Sequence, residues 1–179
     1  MWARFLLLLA AGEILRAKLL VILVLVAAVA QATILKEFSL SELRTKSDAI
    51  VQARVEKIEY QSVEGKPWTI LHLRIEKSFR GTSSHSMTLR LPGGQESVNG
   101  RTLVTRVEGV PEVRLQERGI YFLETIPPSY PELLGWFQGY YRIIQRDQQE
   151  YALRSDGTQK PIKLQEFLRE IEKNQFGGK

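Results

Sequence analysis

The chain has 179 residues, of which 44% are hydrophobic and 25% are charged, a composition that is ordinary for a globular protein. It contains no cysteine and only two histidines, which excludes disulfide scaffolds, thiolate metal sites and cysteine nucleophiles. Three of its 25 basic residues and one of its 20 acidic residues lie in residues 1–32, so the remainder carries a formal charge of +3. Such a small charge on one domain predicts no nucleic-acid partner.

An apolar run of 11 residues, Leu19–Val29, lies near the amino terminus. Arg16 and Lys18 precede it and Ala30-Gln31-Ala32 follows it, which is the pattern of a secretory signal peptide that is cleaved after its last alanine. The run is shorter than the roughly 20 apolar residues that cross a bilayer. We therefore expect export to the periplasm or the exterior, with residues 33–179 as a single mature domain. The alternative is an uncleaved segment that anchors the domain to the membrane.

The next segments predict a helix followed by a long β-hairpin. A serine with a glutamate three residues later forms a capping box, so we expect a short helix over Ser39–Lys46. Apolar and polar residues then alternate over Ala49–Tyr60 and over Trp68–Phe79, which predicts two strands. The residues between them, Glu64–Pro67, have the composition of a turn.

Shorter strands and a final helix complete the chain. Asn99-Gly100 is the strongest short hairpin signal, because both positions tolerate a positive φ. Apolar residues at helical spacing predict an amphipathic helix over Lys163–Lys173. The remaining strands are expected over Ser86–Leu91, Thr102–Val107, Gly119–Ile126, Phe137–Gln145 and Tyr151–Arg154. Short strands, a helix at each end and no βαβ alternation predict a mainly β fold, a closed or partly closed antiparallel barrel of the OB type.

Several short motifs resemble those of a largely uncharacterised family of exported bacterial proteins. In chain order they are Ser47-Asp48-Ala49-Ile50-Val51, Phe79-Arg80-Gly81, Leu91-Pro92-Gly93-Gly94, Gly109-Val110-Pro111 and Gln138-Gly139-Tyr140. The strand at residues 47–55 also resembles the first strand of netrin-like domains, the OB-type barrels that include tissue inhibitors of metalloproteinases. That resemblance implies a five-stranded barrel flanked by helices. Those inhibitors bind the protease zinc through an amino-terminal cysteine, which is missing here, so the resemblance does not imply the same activity.

Two segments together form the candidate binding surface. The glycines of the first would let a ligand approach backbone N–H groups closely, although a tight turn is the alternative interpretation. The aromatic side chains of the second are typical of a stacking surface on an OB-type barrel, although they would also fit a core. The predicted binding residues are Pro92, Gly93, Gly94, Trp136, Phe137 and Tyr140. No metal or cofactor is expected.

The sequence contains no obvious catalytic constellation. His85 lies among Ser83, Ser84 and Ser86, but nucleophilic catalysis also needs a carboxylate that orients the imidazole and an oxyanion hole. The favoured hypothesis is therefore a non-enzymatic exported module that binds a protein or another partner in the cell envelope. The alternative is an extracytoplasmic hydrolase, which a pocket joining Ser83 or His85 to a carboxylate would indicate.

Overall fold

The computed structural model describes residues 37–125 and 130–173 of the chain. The predicted signal peptide, residues 1–32, lies outside the described residues. The strands are β1 (Ala49–Val63), β2 (Lys66–Arg80), β3 (Ser86–Pro92), β4 (Gly94–Val98), β5 (Arg101–Thr105), β6 (Arg118–Thr125), β7 (Pro131–Leu133), β8 (Tyr140–Arg146), β9 (Gln149–Arg154) and β10 (Ile162–Lys163). The helices are α1 (Leu40–Lys46), a 3₁₀ helix (Trp136–Gly139) and α2 (Leu164–Glu172).

Helix α1 begins at the predicted capping box. The Ser39 hydroxyl accepts a hydrogen bond from the Glu42 amide at 3.2 Å, and the Glu42 carboxylate accepts one from the Ser39 amide at 3.0 Å. Two amide groups that the first helical turn leaves unpaired are satisfied in this way. Leu43 points from this helix into the core and is fully buried. The predicted helix is confirmed.

Strands β1 and β2 form the predicted long antiparallel hairpin, which extends to the Val63–Lys66 pair. Glu64 and Gly65 make the turn with φ values of 53° and 73°. The register shifts at three places along the hairpin, and such bulges bend and twist a strand pair. Bending lets the amino-terminal half of β1 pair with β6 on one edge while β2 stays paired on the other.

The main sheet has the order β10-β9-β8-β6-β1-β2-β3, with β7 also paired to β6, and β4 and β5 form a separate two-stranded sheet. Every pairing is antiparallel. The predicted mainly β, antiparallel class is therefore confirmed. In the part of the chain that the structure describes, no strand pairing joins the two ends of the sheet, so a closed barrel is not found.

The two faces of the main sheet belong to two separate core clusters. Val51 of β1 and Tyr121 of β6 contribute to one cluster, whereas their neighbours Ile50 and Phe122 contribute to the other. This division follows from the alternation of side chains along a strand. Both faces of β6 are buried, which explains why its sequence is a nearly continuous apolar run.

Helix α2 covers the second of these clusters. Phe167 lies with its ring centroid 4.6 Å from that of Tyr141 and 6.4 Å from that of Phe122. Leu164 and Ile171 are buried on the same helix face. The predicted amphipathic helix and its packing on the sheet are thus confirmed.

Several predicted strand boundaries differ from the structure: the strand expected over Thr102–Val107 spans Arg101–Thr105, and the strand expected to end at Tyr60 continues to Val63. The strand expected from Phe137 begins at Tyr140, because residues 136–139 form a 3₁₀ helix. Gly135 and Trp136 both have positive φ, which breaks the alternation that the aromatic residues suggested. The short strands β4, β7 and β10 were also not predicted, since a few residues carry too little periodicity to be recognised.

Candidate functional site

The Pro92–Gly94 segment connects β3 to the β4–β5 hairpin. Gly93 has a φ of 89°, and its amide donates to the Pro67 carbonyl at 2.9 Å, while its carbonyl accepts from the Thr69 hydroxyl at 3.0 Å. A Cβ atom at this position would lie 2.7 Å from the Thr105 carbonyl oxygen. Glycine is therefore required for the turn and its close packing, which supports the structural interpretation of Gly93 itself.

Trp136 and Phe137 lie in the turn between β7 and β8. The backbone of Trp136 has a φ of 59°, and its side chain is 44% exposed. The next residue fixes the turn, because the Phe137 amide donates to the Gly109 carbonyl at 2.9 Å. The other non-glycine residues with positive φ in the described ranges are polar turn residues: Glu64, Asn99, Gln116, Asp147 and Gln148. A tryptophan in this conformation is unusual, because a bulky side chain is strained there.

The structure brings the two predicted segments together. Pro92 and Trp136 line one pocket of about 240 Å³, whose wall also contains Val110 and Pro111 of the loop that follows β5. A larger cleft of about 520 Å³ lies beside it and shares Pro92, Val110 and Pro111 with the pocket. Gly93 and Gly94 line only the larger cleft. We call the pocket and the cleft together the loop groove.

A stacked arginine borders the loop groove. The Arg90 guanidinium carbon lies 4.6 Å from the ring centroid of Trp68 and 5.3 Å from that of Tyr130. Tyr130 is 52% exposed. Glu132 also lines the pocket. The mainly apolar pocket is therefore bordered by one cation, Arg90, one carboxylate, Glu132, and the exposed ring of Trp136. This combination suits an apolar group that carries polar substituents.

Tyr140 is part of the core and does not reach the loop groove. Its side chain is 0% exposed, its ring centroid lies 4.8 Å from that of Tyr121, and its hydroxyl donates to the Glu117 carboxylate. Burial raises the pKa of both tyrosines, so both hydroxyls stay neutral. The prediction that Tyr140 belongs to a binding surface is thus corrected: at this end of β8 both faces of the strand are buried, and Tyr140 packs in one core cluster while Tyr141 packs in the other.

The serine and histidine residues of the β2–β3 loop do not form a catalytic arrangement. Ser83 and His85 are exposed, and none of the hydrogen bonds within residues 37–125 and 130–173 joins either side chain to a carboxylate.

Within the same described residues, no group of three histidine, aspartate or glutamate side chains is arranged to hold a metal ion. No helix of the described ranges has the length and apolar character that crossing a membrane requires.

Two glutamates face each other across β6 and β7 at the edge of the loop groove. Glu124 is paired in register with Glu132, and burial, together with the carboxylates of Glu132 and Asp48, raises the pKa of Glu124. The folded state therefore binds this proton more tightly than the unfolded state. Hence the free energy of unfolding decreases as the pH rises through the pKa of Glu124.

The variant Glu124→Gln should remove this repulsion. We expect its free energy of unfolding to exceed that of the wild type by about 0.5 kcal/mol at pH 7. The gain should disappear at a pH low enough to protonate the carboxylate in both states. Denaturant unfolding at both pH values measures this difference. An equal gain at both would show that charge repulsion is not its cause.

The sequence interpretation missed part of the loop groove. Trp68 and Arg90 come from different strands, and only the register brings them together: Trp68 is paired with Pro92, and Arg90 lies two residues before that proline. Val110 and Pro111 lie in an irregular segment where no periodicity indicates which side chains share a surface. Knowledge of the exact β2–β3 register would have shown that Trp68 and Arg90 are neighbours.

No protein-family model matches this chain, and no curated protein sequence is significantly similar to it.

Proposed function

We propose that this chain is an exported, non-enzymatic binding module that recognises a protein or another component of the cell envelope. The binding surface is the loop groove, with Pro92, Gly93, Gly94 and Trp136 as the predicted residues that line it, whereas Phe137 lies in the adjoining 3₁₀ turn. The observation that carries the proposal is the exposed Trp136 ring in a left-handed backbone conformation beside an apolar pocket.

The conformation of Trp136 supports a functional role. The left-handed region costs a non-glycine residue about 1–2 kcal/mol, and here the residue bears a large ring that is only partly buried. Strained residues of this kind are concentrated at binding and catalytic sites. Contact with a partner would bury the exposed portion of the indole ring.

The pocket fits the anatomy of a protein interface. Its walls are mainly apolar, from Leu91, Pro92, Val110 and Leu133, and the charged groups of Arg90 and Glu132 stand at its border. Tight interfaces place an aromatic or aliphatic anchor in such a pocket and surround it with polar groups. We therefore propose that a partner inserts one apolar side chain or ring between Trp68 and Trp136.

The proposal also includes export and the finer fold. The pattern of residues 1–32 supports a cleaved signal peptide with a mature start at Thr33. A partly closed barrel of the OB or netrin-like type is supported by the cluster that contains Val51, Leu71 and Leu89, together with the nearness of Leu91 of β3 and Leu133 of β7 in one pocket. Amino-terminal sequencing of the exported protein tests the cleavage, and retention of residues 1–32 would identify an anchor instead.

The variant Trp136→Gly separates binding from folding. Glycine relieves the positive φ, so we expect the free energy of unfolding to fall by less than about 1 kcal/mol while recovery of the partner falls at least tenfold. The measurement is affinity capture from the envelope fraction with the full chain, quantified by mass spectrometry. Leu115→Ala, at an exposed position that does not line the loop groove, is the control and should capture as the wild type does. Equal recovery of the partner by all three proteins would show that Trp136 is not part of the binding surface.

A further inference from the structure

Strand β5 is exposed along its whole length. All five residues of Arg101–Thr105 are solvent-exposed, and the two apolar ones, Leu103 and Val104, are 48% and 57% exposed. Within the described ranges β5 pairs only with β4, so one edge of this strand has no paired neighbour. An apolar strand with a free edge is a template for pairing with another strand.

The turn of the hairpin determines which backbone groups point to that edge. Asn99 and Gly100, with φ values of 52° and 74°, form a two-residue turn of type I′. The flanking residues, Val98 and Arg101, are therefore a hydrogen-bonded pair, and hydrogen-bonded and non-bonded pairs alternate from there. Leu103, two residues beyond Arg101, accordingly bonds to β4 through its backbone.

The residues between these pairs direct their amide and carbonyl groups away from β4. They are Thr102 and Val104, which lie opposite Ser97 and Gln95 in the non-bonded positions. A second strand can therefore add to β5 by bonding to Thr102 and Val104 while every bond between β4 and β5 remains.

We propose that β5 pairs with β5 of a second copy of this chain, antiparallel and centred on Leu103. In this register Thr102 of each copy lies opposite Val104 of the other, and each such pair exchanges two hydrogen bonds. The two Leu103 side chains meet at the symmetry axis as a non-bonded pair, the arrangement in which side chains are closest. A symmetric contact of this kind closes at two chains.

In this register the facing side chains of the two β5 strands are complementary. A β-branched residue faces a β-branched residue on one side of the ribbon, and leucine faces leucine on the other. Arg101 of each copy lies opposite Thr105 of the other, so no like charges are directly paired. The contact is small, and small interfaces are reversible, so we expect a dissociation constant in the micromolar range or weaker.

The absence of native cysteine makes a direct test available. The variant Leu103→Cys should form a disulfide-linked dimer under mild oxidation, because Cα atoms in a non-bonded antiparallel pair are about 4.5 Å apart and disulfides span roughly 4.4–6.8 Å. Leu115→Cys, at a position that is 58% exposed, is the matched control for random collision. Dimer formation at least tenfold faster at position 103 supports the pairing. Equal rates at both positions overturn it.

Sedimentation velocity of the full chain provides the second test. Val104→Pro removes one outward amide and leaves the bonds to β4 intact, so we expect it to stay monomeric at concentrations where the wild type associates. Circular dichroism checks that the variant is folded, and Thr102→Pro replaces it if it is not. The proposal is overturned if the wild type stays monomeric up to about 1 mM, a concentration at which even weak specific association is detected. It is also overturned if the proline variant associates as strongly as the wild type. Trp136→Gly should associate normally, which distinguishes this pairing from binding at the Trp136 pocket, because Val104 and Thr105 of β5 line only the larger cleft.

Discussion

Replacing Gly81 with alanine is expected to lower the free energy of unfolding by about 3 kcal/mol or more, the combined cost of a left-handed backbone and an overpacked contact. Gly81 has a φ of 80°, and a Cβ atom would lie 2.0 Å from the Asp48 carbonyl oxygen and 2.8 Å from the Ala49 Cα atom. Both neighbours are backbone atoms, so a rotamer change cannot relieve the overlap. The overlap occurs where β1 begins and β2 has just ended, hence we expect the central strand pair to separate at this end.

Gly65→Ala is the matched control for this substitution. Gly65 has nearly the same backbone conformation, with a φ of 73°, but no atom lies within 4 Å of the Cβ position. We expect a loss of about 1 kcal/mol, which is the conformational cost alone. Denaturant unfolding of both variants isolates the contribution of the close contact at Gly81. Equal losses in the two variants would show that the β1–β2 packing at Asp48 is not as described.

Gly119→Ala is expected to cost a similar amount, about 3 kcal/mol, for a different reason. The backbone of Gly119 in β6 needs no positive φ, but a Cβ atom would lie 2.3 Å from the Cε2 atom of Tyr140. The Tyr140 ring is fully buried between Tyr121 and the rest of the core. It has no free space to move into, because protein interiors are close-packed.

A double-mutant cycle tests this explanation. Tyr140→Leu removes the clashing ring atoms, so the double variant Gly119→Ala, Tyr140→Leu should lose at least about 1 kcal/mol less than the sum of the single losses. Thermal or denaturant unfolding of the four proteins gives the coupling. Additive losses would mean that Gly119 is required for something other than space for the Tyr140 ring.

Much of the fold was predictable because the signals were local. The capping box at Ser39, the Asn99-Gly100 turn and the helical spacing from Leu164 each depend on residues that are close in sequence, and the structure confirms all three. The alternation that predicts β1 and β2 corresponds to side chains on opposite faces of the sheet, although the first five residues of β1 are buried on both faces. Closure of the sheet depends on long-range twist and on bulges, which leave no comparable local pattern.

The candidate site was only partly predictable. The sequence predicts that Pro92 and Trp136 belong to one surface, and both residues line one pocket of the structure. Tyr140 was assigned to the same surface because it belongs to the same aromatic stretch, but the positive φ of Trp136 changes the path of the chain and leaves Tyr140 in the core. Trp68 and Arg90 were missed, since their proximity is a product of strand register.

Site-specific photo-crosslinking in the producing cell tests most directly whether the Trp136 surface is where this protein binds. A photoreactive phenylalanine analogue would replace Trp136 in one variant and the exposed Leu115 in another. We expect a discrete covalent adduct from position 136 and none from position 115. The same adducts from both positions, or none from either, would contradict the assignment of the loop groove as a binding site.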